Sequence, residues 1–173
     1  EREEAFRRWL GSGFRYLTQE GQSLGERLEY AFVHAYSLGF DRVIVIGSDS
    51  PDLPTSLLDR ALRSLRCHDA VIGPCDDGGY YLIGFHVDSF CPSVFRHIEW
   101  STGKVYDQTL RNLNQTGVDI QMLPQWQDVD SGRDLDQLVR RNANSRCAAP
   151  KTLHYCREQG WNRPDNRAQH ACR

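Results

Sequence analysis

Apolar positions recur at helical spacing through "SLGERLEYAFVHAYSLG", where Leu24, Leu28, Phe32 and Ala35 share one face. Ser23 and Glu26 form a capping-box pair and Gly39 follows the last periodic residue, so the pattern predicts a helix over about 24–38. The period then changes. "DRVIVIG" is a short unbroken apolar run rich in β-branched residues, which suits a strand covered on both faces, as in a parallel sheet. Pro51 and Pro54 interrupt the chain, and "TSLLDRALRSL" restores helical spacing through Leu57, Leu58, Ala61, Leu62 and Leu65 from a Thr55 or Ser56 cap. "DAVIGP" is a second buried strand. Strand, helix, strand is a right-handed crossover unit, so these two strands are expected to be parallel members of one sheet.

"YYLIGFH" reads as a third strand, with too few residues before it for another crossover helix. It is expected to turn back or to lie at an edge. "TGKVYDQTLRNLNQTG" predicts a helix with Val105, Leu110 and Leu113 inward, "VDIQMLP" a strand, and "SGRDLDQLVRR" a helix capped by Ser131. The opening "EREEAFRRWLG" also reads as a helix. Beyond Asn142 the periodicity fades into one short helix near 151–158 and a polar tail expected to be disordered. The organisation is therefore one α/β domain over 1–142 and a C-terminal extension over 143–173.

Composition narrows the function classes. The chain has 173 residues, 39% hydrophobic and 25% charged, as in an ordinary globular protein with one core. Its 21 basic and 23 acidic side chains are interspersed, leaving a net charge of −2 and no footprint for nucleic acid or an anionic membrane. No apolar run approaches the roughly 20 residues of a spanning helix. A cytoplasmic protein without stable membrane insertion is expected. The chain begins at Glu1 rather than at a methionine, as a piece of a longer protein would. The 6 cysteines include no C-x-x-C pair and read as reduced thiols. The histidines are scattered, and neither a G-x-S-x-G elbow nor a P-loop is present.

Ligands of open parallel sheets bind beyond the carboxyl ends of the strands, where this chain collects acids. Asp49 and Asp52 follow "VIVI", Asp76, Asp77, Gly78 and Gly79 follow "AVIGP", and Asp128 and Asp130 follow "VDIQMLP". Carboxylates gathered without matching cations repel one another, and a hard divalent ion relieves the repulsion. Each piece also has a plain structural use. Asp49 and Asp52 are equally suited to cap the helix near Thr55, Asp130 or Ser131 to cap the next one, and the glycine pair to make a tight turn.

Taken in order, "LGERL", "VIVIGSDSPDLP", "GPCDDGGYYLIGF", "IEWST" and "DVDSGRDL" resemble a bacterial glycosyltransferase-like family with a nucleotide-diphospho-sugar transferase fold. More distantly they are similar to the guanylyltransferases that activate phospholactate or the molybdenum cofactor. The resemblance spans about residues 14–141 and implies a glycosyltransferase A type fold, three-layer α/β/α with a mostly parallel central sheet. The activity it implies is transfer from a nucleotide-diphospho-sugar or an NTP to a small acceptor, with Mg2+ or Mn2+ as cofactor.

The same resemblance implies roles for individual residues. Asp49 and Asp130 would hold the metal, Asp49 and Asp77 would be the catalytic acids, and Asp52, Gly78, Gly79, Tyr80, Trp100, Ser101 and Thr102 would bind substrate. One departure stands out. The family opens with a strand and a "P-G-x-x-K-T-R-L" loop for the nucleotide, and this chain has no counterpart to it. The "VIVI" strand is then expected to expose an edge that another chain, a homodimer partner included, would cover. The alternative functions are a degenerate relative acting as a binding or scaffold protein and, on chemistry alone, a two-metal phosphatase or nuclease.

Overall fold

The computed structural model describes residues 2–143 and 149–161. Residues 144–148 and 162–173 of the C-terminal extension, with Cys147 and Cys172, lie outside the described residues, and so does the expected disordered tail. Helix α1 (Arg2–Leu10) leads through an irregular stretch to α2 (Leu24–Ser37), strand β1 (Arg42–Ile46), α3 (Thr55–Ser64), β2 (Ala70–Pro74) and β3 (Tyr80–His86). Two short 3-10 turns follow, then α4 (Val105–Thr116), β4 (Ile120–Met122), α5 (Gly132–Arg141) and α6 (Pro150–Glu158).

The strands form one sheet in the order β1-β3-β2-β4. Strand β3 does turn back, but it lies inside the sheet rather than at its edge, pairing antiparallel with β1 on one side and β2 on the other. Strands β1 and β2 consequently run the same way without pairing, and among the described strands β2 and β4 pair in parallel, Ala70 opposite Ile120. Three strands point one way, so β1 and β2 are members of one sheet running in the same direction, as expected, with β3 inserted between them. The physical reason is the tight turn at residues 75–79, where Cys75 N–H donates to Gly79 C=O at 3.0 Å. A hairpin closes over a few residues, whereas direct β1–β2 pairing would leave the apolar β3 run without a partner.

Side chains pack both faces of the sheet, alternating except at Tyr81 and Leu82, which share one cluster beside the register shift at Gly73 and Pro74. Ala70, Ile72, Ile83 and Phe85 meet Leu28 and Phe32 of α2 and Leu113 of α4. Val71, Tyr81 and Leu82 meet Ala61 of α3, Leu65 at its C-terminal cap, and Leu123. Phe32 is wholly buried, its ring 5.2 Å from Phe85, 5.1 Å from Phe90 and 6.0 Å from Phe95. Burying one such side chain contributes about 1.5–3 kcal/mol, enough to seat α2 on the sheet.

The helix starts are local chemistry. Ser23 Oγ accepts from Glu26 N–H at 3.2 Å, but Glu26 reaches back to Gln22 N–H at 2.6 Å, one residue before the position a capping box predicts. Ser131 and Asp134 make the complete box at α5. At α3 the expected Thr55 or Ser56 cap is not formed: Pro54 occupies the capping position and Thr55 is the first helical residue. Strand β4 is shorter than the apolar run suggested. Strand β1 is the sheet edge opposite β4, as expected, with Ile46 exposed. Among the described residues no helix is long and apolar enough to cross a membrane.

Candidate functional site

Three connections run off the same edge of the sheet, because β1, β2 and β4 point the same way. They deliver the loops after Ile46, Pro74 and Met122 to a common rim. Val129 N–H donates to Asp49 C=O at 2.9 Å, so the first and third loops are joined by backbone. Asp128 and Asp130 flank that joint. The Asp49 carboxylate folds back over Gly47, where a Cβ would meet Asp49 Oδ1 at 2.6 Å. Any larger residue at 47 would displace the acid.

The second loop is docked from below. Gly78 has φ +88° and sits so close to the 101–105 segment that a Cβ would lie 2.2 Å from Gly103 C=O. Its own carbonyl accepts from Tyr106 N–H at 2.8 Å, and Asp77 Oδ1 accepts from Gly79 N–H at 2.7 Å. Asp77 is thereby held against the start of α4. In the segment before α4, His97 and Ser101 adopt left-handed backbone at φ 57° and 63°. Such conformations cost on the order of 1–3 kcal/mol each and persist only where surrounding contacts enforce them. Here they flank Trp100, and Glu99, Thr102, Lys104 and Gln108 tie the turn together, with Lys104 Nζ 3.0 Å from Glu99 Oε2.

These loops enclose a cleft of about 560 Å³ lined by Asp49, Asp77, Gly79, Tyr80, Trp100, Ser101, Thr102, Asp128 and Asp130, among others. The volume is that of a small-ligand site. Of the substrate and metal residues expected from sequence, Asp49, Asp77, Gly79, Tyr80, Trp100, Ser101, Thr102 and Asp130 meet here. Tyr80 offers its ring, since its hydroxyl is buried and faces Thr109, and burial pushes that phenol up. Gly78 is not part of the lining and instead packs its loop against Gly103.

Asp52 is placed elsewhere. Its side chain is 2% exposed and is gripped by Arg141, with Nε 2.7 Å from Oδ2 and Nη2 2.8 Å from Oδ1, while Asn142 Nδ2 donates to Oδ2 at 2.6 Å. Burial alone would raise its pKa, but the Arg141 and Asn142 hydrogen bonds outweigh it and hold the carboxyl below its ordinary value. Arg141 also donates to Gln127 Oε1 at 2.6 Å and to Gln127 C=O at 3.0 Å. It therefore clamps the Asp49 loop to the stretch that carries Asp128.

The cleft's electrostatics are one-sided. Its lining includes four aspartates and no lysine or arginine. Burial and then the neighbouring Asp77 charge raise the Asp128 pKa; burial and then Asp49 and Asp77 raise that of Asp130. Cys75, Asp77 and Asp128 present ligand atoms that all lie within 4.8 Å of one another. Buried, and facing Asp128, the Cys75 thiol is pushed up as well. Carboxylates crowded around a concave space, with Asp128 and Asp130 raised by burial and by their acidic neighbours, are a donor set suited to a divalent cation. Sequence reasoning placed Asp128 on this rim without a role and treated Cys75 as one more scattered thiol. The signal for Asp128 was its i, i+2 relation to Asp130; for Cys75 there was only adjacency to Asp76 and Asp77.

Fold and rim together define a mixed α/β protein with an acid-lined cleft at one end of its four-stranded sheet. Residues 1–102 match a family described as uncharacterised protein conserved in bacteria, DUF2064, and the chain belongs to that family. A crystal structure from Desulfovibrio desulfuricans, provisionally described as a nucleotide-diphospho-sugar transferase, superposes with a TM-score of 0.86 at 43% identity, over 92% of this chain and 69% of that one. No curated protein matches the sequence.

Proposed function

We propose that the protein is a metal-dependent glycosyltransferase or nucleotidyltransferase acting on a nucleotide-diphospho-sugar or NTP, built on a three-layer glycosyltransferase A type framework. The observation that carries this reading is the convergence of Asp49, Asp77, Asp128 and Asp130 on one cleft with no basic residue in its lining. Its match to a relative described as a nucleotide-diphospho-sugar transferase supports the substrate class. Asp49, with Asp130 and Asp128 beside it, would hold Mg2+ or Mn2+; when bound, the ion neutralises charge on the diphosphate leaving group.

The chain's own residues then have distinct tasks. Gly79 adds no side chain to the cleft wall while its N–H holds Asp77, and Trp100 and Tyr80 give the cleft flat apolar walls against a sugar or base. Asp77, fixed by Gly79 N–H, faces the cleft as the group that would orient an acceptor hydroxyl and take its proton. No side chain in the lining is an activated nucleophile, which favours direct attack by the acceptor.

Isothermal titration with a panel of nucleotides and nucleotide-diphospho-sugars, with and without manganese, tests the reading. Binding of one donor only with the ion present, abolished by Asp49→Asn in a chain that keeps its circular dichroism, is the expected outcome. Metal-independent binding, or full binding by the variant, would overturn it. A folded chain that binds no donor would favour the scaffold alternative.

A further inference from the structure

We propose that Cys75 Sγ, behind the cleft lining, ligates the divalent cation together with Asp77 and Asp128 of that lining, making a mixed sulfur and carboxylate site that ranks cobalt, zinc and cadmium above magnesium. The proposal rests on the metal-dependent reading and refines it, with Asp77 then serving as a metal ligand rather than as the group that takes the acceptor proton. Cys75 directly follows β2, and the chain is held there on both sides, by Cys75 N–H to Gly79 C=O at 3.0 Å and by its bridge to Trp126. The residue is 6% exposed. A thiol buried this deeply ordinarily meets apolar neighbours alone. Cys75 has these in Leu82 and Leu123 on one side, yet its sulfur comes within 4.8 Å of carboxylate oxygens of both Asp77 and Asp128.

The three donors come from two different loops, so their convergence is a tertiary feature rather than a consequence of adjacency. Asp77 is preoriented by Gly79, and the stretch bearing Asp128 by Arg141 through Gln127. Metal coordination would exchange the S–H bond for a metal–sulfur bond, with the proton passing to water. An oxygen-only rim suits magnesium, whereas one thiolate shifts preference toward softer ions.

The test compares wild type with Cys75→Ser, which keeps size and removes sulfur, using Co2+, Cd2+ and Mg2+ as probes. Cobalt and cadmium should give a sulfur-to-metal charge-transfer band in wild type that the variant lacks. The variant should lose about tenfold or more in cadmium affinity, with magnesium affinity nearly unchanged. A band of equal strength in both proteins would come from another cysteine and overturn the proposal. Metal binding to wild type without the band would overturn it too, while leaving the carboxylate site standing. Absence of binding by any of the ions would instead sink the metal-dependent reading itself. Should Cys75→Ser fail to fold, X-ray absorption of zinc-loaded wild type decides: a sulfur scatterer at about 2.3 Å supports the assignment, and an oxygen and nitrogen shell alone rejects it.

Discussion

At the scale of single residues, Asp49 and Asp52 show how one motif divides between chemistry and architecture. They stand three apart after the same strand, but Asp49 lines the cleft and Asp52 turns inward to Arg141. The partner that decides this lies 89 positions away in sequence. Removing Asp52 would leave Arg141 without its main counter-charge and Asn142 Nδ2 without one acceptor. Asp52→Ala should cost about 3 kcal/mol, the lower end for breaking a buried pair because Arg141 is partly exposed. A urea denaturation midpoint unchanged from wild type would show that the pair is not a clamp. The pH dependence follows from the lowered pKa. Asp52 contributes stability above the ordinary carboxylate range, and that contribution is lost as pH falls through its lowered value.

At the scale of elements, the capping box of α5 does more than start a helix. Ser131 follows Asp130 directly, and the paired bonds between Ser131 and Asp134 fix the chain direction at that point. Ser131→Ala should destabilise the protein by about 1 kcal/mol. Because the same cap sets the exit of the Asp128–Asp130 stretch, manganese affinity should fall as well, by a fewfold. Thermal unfolding and a manganese titration on the same preparation check both effects, and a stability loss with unaltered metal affinity would separate the cap from the site. This element was legible in the sequence, since its partners lie within a turn of one another. The α3 start was less so: Pro54 holds extended backbone that fits the capping position, and Thr55 is taken into the helix.

For the whole molecule, the acid-lined rim couples stability to pH and to metal. Asp128 and Asp130 have raised pKa values, so the folded state binds protons more readily than the unfolded chain. Their contribution to stability is therefore lost as pH rises through those raised values, the opposite sense to Asp52. A divalent ion should restore it. At neutral pH, saturating manganese is expected to raise Tm by about 5–10 °C, from roughly 2.7 kcal/mol at a hundredfold excess over Kd. The gain should shrink at mildly acidic pH, where protons occupy the same carboxylates. Equal shifts at both pH values in differential scanning calorimetry would place the ion elsewhere.

What the sequence determined by itself was everything carried by short-range physics: the helices and strands written in their hydrophobic periods, the Ser131 cap, and the acids left at the carboxyl ends of β1, β2 and β4. Backbone period and capping depend on neighbours within a few residues, so they can be read without a fold. Tertiary structure decided the rest. It inserted β3 between β1 and β2, sent Asp52 to Arg141, brought Cys75 beside Asp128, and used Gly78 to dock one loop against Gly103. Each of these depends on which distant segments share a sheet edge, and strand order is set by packing of both faces rather than by any local pattern.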